Sequence, residues 1–440
     1  MARDSVSGGL GLPSGIGLVV SNMVGAGVFV SAGFMAQELG PAAILAAWGI
    51  GLLVALAGAR AYAAVATLVP RSGGEYRFLS ELLHPALGYL AGWASLLLGF
   101  SAPIAIDALA AGAFARTLAP AADPRAVGAA LIVALTALHA FDLSVSRWTQ
   151  NTLVAVSTAL LLGFVALGLT AGSGQWPTWS PPTPPEGSAL GAFAVSLFYI
   201  AFAFSGWNAA VYAADEFRAP RRDVPRSLIA GCASVGIVYL LVNWVFVANL
   251  TPERARAVFA FEQTRVTLGH LVTADLIGPA GAAVMSVLVI AALVAAMSGM
   301  IFNGPRIYSA MAADGFLPRV LARRDGRPPV GSVLVQGALA LVLLFTHRLQ
   351  DILQNLGALL TLFTALTALS LFRVWLRAPR QARPGAVPLV AAAIHCGSAA
   401  LMLYFGFRRT TGFLLWVAVV AAVALVAYTF TRARRRLSSA

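Results

Sequence analysis

Two short stretches place backbone chemistry where a membrane-embedded chain normally hides it. Gly25-Ala-Gly27 interrupts the apolar run 12–37, and Ser205-Gly206 interrupts the run 189–217 between Phe204 and Trp207. Glycine in a helix interior costs about 1 kcal/mol relative to alanine and frees the chain to leave helical geometry. Inside an apolar slab the released N–H and C=O groups need partners from protein or from a polar cavity. Each break is therefore a source of donors and acceptors for a central ligand.

The elements that must hold these breaks follow from composition. The 440 residues are 59% hydrophobic and 11% charged, with mean hydropathy +0.82. A soluble domain carries about 25% charged residues, so the expected fold class is an all-α integral membrane protein. A span needs about 20 apolar residues. Such runs fall at 12–37, 41–69, 85–119, 126–141, 150–172, 189–217, 226–249, 278–311, 330–346, 351–375, 386–407 and 412–430, about twelve in all. The longest linker, about 250–277, is too short for a soluble domain.

The broken runs are the first and the sixth. Five spans apart, they run in opposite directions, which is the sequence sign of an inverted-repeat transporter with a site near the membrane midplane. The expected organisation is a five-helix repeat over 1–172, a second over 189–375, helices 11 and 12 within 386–430, and a basic tail at 431–440.

Net charge is +13, and all 30 basic residues are arginine. With the N-terminus inside, most arginines fall on the cytoplasmic side, among them Arg71, Arg77, Arg221, Arg222, Arg226 and Arg377. Both termini are thus expected in the cytoplasm, and the charge reports orientation rather than nucleic-acid binding. Cys232 and Cys396 lie inside apolar runs and read as packing residues.

The motifs carry a resemblance. Asn22-Met-Val-Gly-Ala-Gly-Val-Phe29, the turn Pro70-Arg-Ser-Gly-Gly-Glu-Tyr76, Phe202-Ala-Phe-Ser-Gly-Trp-Asn208 with Asp215-Glu216, and Arg306-Ile-Tyr-Ser-Ala-Met-Ala-Ala-Asp-Gly-Phe-Leu-Pro318 occur in this order. Together they resemble the amino acid–polyamine–organocation superfamily, in its L-amino-acid-transporter-like branch. The resemblance implies a substrate held at the breaks by its α-carboxyl and α-amino groups. The carboxylate would take the N–H groups around Gly25, Ala26 and Gly27, where a helix dipole favours an anion. The ammonium would take carbonyls near Ser21, Asn22, Val24 and Phe202, Ala203 and Phe204. The substrate side chain would meet Ser205, Gly206, Trp207 and Asn208, with Phe202 as a gate.

Two departures from the family pattern matter. Relatives often carry a lysine in the fifth helix that stands where a sodium ion would sit, and this chain has none; Ser157 occupies the place, with Ser298 on the eighth helix as a second oxygen for Na⁺. Ser205 stands where relatives often have glycine and favours small or polar side chains.

Within the spans, Arg60 and Asp107 are ionisable and so candidates for function. Arg60 can snorkel to the surface; Asp107 is a coupling or gating candidate, or a partner for a cationic substrate. His139 and His395 are expected to be structural. No metal cluster, nucleophile–base pair or phosphate-cradling loop is apparent, so neither an enzyme nor a cofactor is expected. The leading reading is a carrier of neutral L-amino acids by exchange. The alternatives are a cationic amino acid or polyamine antiporter, a Na⁺- or H⁺-coupled symporter, and a non-transporting sensor. The arginine-rich, lysine-free composition looks bacterial, which places the chain in an inner membrane, in contact with the lipid bilayer and with no accessory subunit indicated.

Overall fold

The computed structural model describes residues 9–140, 147–181, 188–322, 329–409 and 412–437. Arg3, Arg323, Arg324 and Arg327, which enter the charge count above, lie outside the described residues. Every regular element described is a helix. In chain order these are α1 (Leu12–Met23), α2 (Ala26–Met35), α3 (Pro41–Leu68), α4 (Glu75–Leu82), α5 (Pro85–Ala94), α6 (Ser101–Leu118), α7 (Pro124–Ala140), α8 (Arg147–Ala171) and α9 (Ala189–Ala203). The chain continues through α10 (Ala209–Tyr212), α11 (Pro220–Ala248), α12 (Pro252–Ala260), α13 (Glu262–Val266), α14 (Leu268–Ala313), α15 (Val330–Thr346), α16 (Leu349–Arg377), α17 (Ala386–Arg409) and α18 (Gly412–Leu437).

Six segments are long and apolar enough to cross a membrane: α3, Pro85–Leu118, α11, α14, α16 and α17. The pair α1 and α2, bent by 43° at its break, adds a seventh, and five shorter apolar helices lie in α7, α8, α9, α15 and α18. These are the twelve runs expected from composition. Pro41, Pro85 and Pro220 each open a helix, where a missing N–H costs nothing. Pro85–Leu118 is continuous only because Ser95–Gly99 forms a π turn between α5 and α6. Its closing bond runs from the Phe100 N–H to the Ser95 carbonyl at 3.3 Å, and the same carbonyl accepts the Tyr308 hydroxyl at 3.2 Å.

One expectation changes. The stretch 250–277 is largely helical: α12 starts on a Thr251 cap that accepts the Arg254 N–H at 3.3 Å, and α13 and the first turns of α14 follow. Buried Ala255, Val258 and Val266 pay for its order by packing into the bundle. A kink at Ile277 and Gly278, the glycine at φ +78, then turns the chain into the long span.

This cap closes one end of the molecule. All ten residues of α2 are buried. Phe34 stacks on Tyr199 of α9 at 5.8 Å, and Arg265 of α13 lies over the other side of Phe34, 5.8 Å from its centroid. The Arg265 guanidinium donates to the Phe259 carbonyl at 3.0 Å, and burial lowers its pKa. At the opposite end, Leu10 pairs with the chain just after α10: its N–H reaches the Glu216 carbonyl at 2.8 Å, and the Arg218 N–H reaches back to it at 3.0 Å. Ser72 and Asp215 bond reciprocally beside it, at 3.1 and 2.9 Å. The outer ends of both broken helices are thereby tied together.

Gly33 of α2 faces the Arg265 backbone so closely that a methyl group would be driven into the Arg265 carbonyl. Neither backbone can yield without parting the cap from α2. Gly33→Ala is therefore expected to lower the thermal unfolding midpoint of the purified protein. Gly49→Ala, where a methyl meets open space on α3, should leave it unchanged or raised.

Candidate functional site

The first break is built from a helix end and a helix start. At Met23 the carbonyl has lost its helical partner, and the Tyr239 hydroxyl of α11 donates to it at 2.6 Å. At Ala26 the first N–H of α2 donates to Asp107 Oδ1 of α6 at 3.0 Å. Asp107 is only 2% exposed, so this carboxylate sits in the dipole of α2 away from water. The neighbouring N–H groups of Gly25 and Gly27 have no hydrogen-bond partner among the described residues. Ser21 and Asn22 turn their side chains back onto the Leu18 carbonyl, at 2.9 and 2.8 Å.

The second break is a run of tight turns between α9 and α10. The Ser205 N–H donates to the Phe202 carbonyl at 2.8 Å and the Ala209 N–H to the Gly206 carbonyl at 2.9 Å. Gly206 has φ +96, a region that side chains avoid, and its α-carbon lies against the Asn22 carbonyl. Gly27 presses equally closely on Ala203. The two breaks therefore touch each other through glycine on each side.

A cavity of about 250 Å³ extends from this contact toward the end of the bundle that carries Leu10. Of the expected site residues, it is lined by Asn22, Phe204, Ser205, Gly206, Trp207 and Asn208. Phe204 packs between Trp48 and Tyr239, and Trp207 meets Tyr62 edge-on at 4.7 Å. Ser21, Val24, Gly25, Ala26, Gly27, Phe202, Ala203 and Asp107 are not in its lining, because α2 is packed against α9 and seals that side. Ser157 and Ser298 are buried on α8 and α14, also away from the lining. The Ser298 hydroxyl lies 3.0 Å from His139 Nε2 of α7.

Residues not singled out by the sequence argument complete the wall. Glu75, at the start of α4, is 7% exposed and lines the cavity. Its Oε1 accepts from the Asn208 amide and, at 3.1 Å, from Tyr62; its Oε2 accepts from Tyr212 at 2.6 Å. Three neutral donors thus surround one carboxylate and fix α4, α3 and α10 around it. The only hint was an acid after Gly73-Gly74 in the quoted turn, where it read as loop chemistry. His395 also lines the cavity, bonding the Val54 carbonyl and Thr364 at 3.1 Å each. Its structural reading agrees with both ring nitrogens being engaged.

Two interrupted helices that meet over a buried, partly polar cavity in an all-helical membrane bundle define a multi-pass transporter rather than an enzyme. The chain belongs to the amino acid permease family, whose model matches residues 10–427. It is 27% identical over 394 residues to the human b(0,+)-type amino acid transporter 1, covering 87% of this chain and 79% of that one. Against the mouse large neutral amino acids transporter small subunit 2 it is 25% identical over 413 residues, covering 90% and 76%. Against the mouse Asc-type amino acid transporter 1 it is 25% identical over 420 residues, again covering 90% and 76%. The protein is an amino acid transporter.

Glutamine at position 75 keeps the shape but offers one acceptor oxygen where three donors converge. A buried donor left without a partner costs about 1–3 kcal/mol. Glu75→Gln is expected to lower the unfolding midpoint and amino acid uptake together. Glu81→Gln, on the exposed side of the same helix and 3.9 Å from Arg77, should alter neither.

Proposed function

We propose that this permease carries neutral L-amino acids across a bacterial inner membrane by alternating access, working as an exchanger with both termini in the cytoplasm. The observation that carries the substrate class is the state of the acid in the cavity wall. Glu75 already accepts from Asn208, Tyr62 and Tyr212, and no arginine lines the cavity among the described residues. An anionic substrate side chain would meet no positive partner among these residues, and a cationic one would have to displace the donors already bonded to Glu75; desolvating either is costly. Glu216 also lines the cavity but is exposed, at the mouth.

In this reading the substrate carboxylate takes the N–H groups of Gly25 and Gly27 beside Asp107, once α2 has parted from α9. Its ammonium takes the carbonyls that end α1 and α9, from Ser21, Asn22, Val24 and Ala203; the Phe202 and Phe204 carbonyls are already used by the chain, accepting from Ser205 and Trp207. Ser205, Gly206, Trp207 and Asn208 border the side chain, and Phe202 moves with the α2–α9 seam as the gate. Exchange is the reading tested below; a sodium ion at Ser157 and Ser298 would share the Ser298 hydroxyl with its hydrogen bond to His139. Asp107 serves as the acceptor that holds the start of α2, a role that needs an oxygen and not a charge.

The reading is tested with purified protein in liposomes. Vesicles preloaded with an unlabelled neutral amino acid should take up its labelled form, and empty vesicles should not. Uptake of arginine or a polyamine alone would refute it, and uptake into empty vesicles driven by Na⁺ or a pH step would replace exchange by coupling. Asp107→Asn retains an acceptor oxygen for the Ala26 N–H and should keep exchange within about a few-fold of wild type, whereas Asp107→Ala, leaving that buried N–H without a partner at a cost of about 1–3 kcal/mol, should lose most of it. Loss of exchange in folded Asp107→Asn would make the charge itself part of the cycle.

A further inference from the structure

A recess on the outer wall of the bundle gathers arginines from three separate elements. Arg60 on α3, Arg221, Arg222 and Arg226 in the first turns of α11, and Arg383 just ahead of α17 line one hollow of about 610 Å³. Its lining also holds apolar side chains, among them Ala64, Leu68 and Ile229. The recess is separate from the cavity at the helix breaks and shares no residue with it.

The protein leaves most of this charge without a partner. Arg222 Nε lies 3.4 Å from Asp223 Oδ1, and Arg383 Nε donates to the Ala378 carbonyl at 3.1 Å while its guanidinium covers Trp375. Arg60, Arg221 and Arg226 have no hydrogen bond or ion pair among the described residues. Arg60 is the telling one. It stands eight residues before the end of α3 at Leu68, about 12 Å along the axis at 1.5 Å per residue. At that depth it lines the same hollow as four other arginines, Arg221, Arg222, Arg226 and Arg383. Like charges gathered in one concavity favour an anion between them, and the planar arginine fork fits phosphate oxygens two at a time.

The surroundings say what kind of anion. The recess lies where α3 stops and α11 and α17 start, which is a membrane–water boundary for three spanning helices. Beyond it, α17 exposes Val387, Val390 and Ile394 along its length, a strip suited to acyl chains. A partly apolar lining, clustered charge and an adjoining lipid-facing strip together match an amphiphile rather than a small soluble ion. We propose that this recess binds the phosphate headgroup of an anionic phospholipid, with Arg60, Arg222 and Arg226 around the phosphate and the acyl chains lying along α3 and α17. On the proposed orientation the site faces the cytoplasmic leaflet. It does not depend on which amino acid the transporter carries.

The test is native mass spectrometry of the full-length protein titrated with phosphatidylglycerol or phosphatidylcholine, run on wild type, Arg60→Gln, the triple variant Arg60→Gln/Arg222→Gln/Arg226→Gln, and Arg319→Gln. Arg319 is exposed and outside the recess, so it controls for net charge. An arginine near an anionic headgroup contributes about fivefold in affinity, so the triple variant should lose roughly a hundredfold of the preference for phosphatidylglycerol. Arg60→Gln alone should lose about fivefold, and Arg319→Gln almost none. Equal loss in Arg319→Gln, or an undiminished preference in Arg60→Gln, would overturn the proposal. Should the triple variant not fold, the Arg60→Gln result decides. Inorganic phosphate is titrated in parallel; if it displaces phosphatidylglycerol at equal concentration, the recess binds a free anion and the lipid assignment fails.

Discussion

A backbone that leaves helical geometry in apolar surroundings must find new partners for every group it frees. That constraint governs the centre of this permease. An unpaired buried amide costs several kcal/mol in such a medium, comparable to the net stability of a whole domain. At the first break the chain answers with Tyr239 on the Met23 carbonyl and Asp107 on the Ala26 N–H. One residue comes from α11 and the other from α6, so two distant helices are recruited to make a two-residue gap tolerable. The N–H groups of Gly25 and Gly27 stay unclaimed, and an unclaimed donor at the start of a helix is the chemistry a carboxylate seeks.

The same constraint explains the glycines. The two breaks lie against one another because Gly206 admits the Asn22 carbonyl and Gly27 admits Ala203. Close backbone contact of this kind replaces the hydrophobic drive that helices lack in lipid. It also makes the seam between α2 and α9 a single unit: Phe34 on Tyr199, Ser31 donating to the Tyr199 carbonyl at 3.3 Å, and the Arg265 cap above them. At the other end the Leu10 pairing with 216–218 ties the segment ahead of α1 to the one after α10. The broken helices are thus bonded to each other at both extremities and at the middle, with the cavity between.

How much of this was legible depends on whether the signal is local. The twelve apolar runs and the two interruptions are one-dimensional patterns, and both are present as expected. The helical character of 250–277 was missed because its short amphipathic turns fall below the length at which apolar periodicity stands out from loop composition. Partnerships were invisible for a different reason. Asp107 and Ala26 are 81 residues apart, and Glu75 and Asn208 are 133 apart; nothing in the spacing of an acid tells which distant donor will reach it. Asp107 could be flagged because a charge in a span is conspicuous. Glu75, in a glycine-rich turn, looked like any surface loop acid, although the fold brings it into the cavity wall. Which side of the break faces the cavity was likewise unreadable, since it depends on how α2 and α9 are packed.

The π turn at Ser95–Gly99 gives the cavity wall a property that a regular helix would not have. A helix that closes a ring over five residues instead of four holds one residue more than its length requires. The surplus sits where Ser95, Gly99 and Phe100 line the cavity. Downstream of it, the face of α6 that carries Asp107 is rotated by about 100° relative to an uninterrupted continuation of α5. The carboxylate that steadies α2 owes its aim to that surplus. Removing one residue from the turn would shift the register of α6 by about 100° and turn Asp107 away from Ala26. The register of one helix and the anchoring of another are thus set by the same turn.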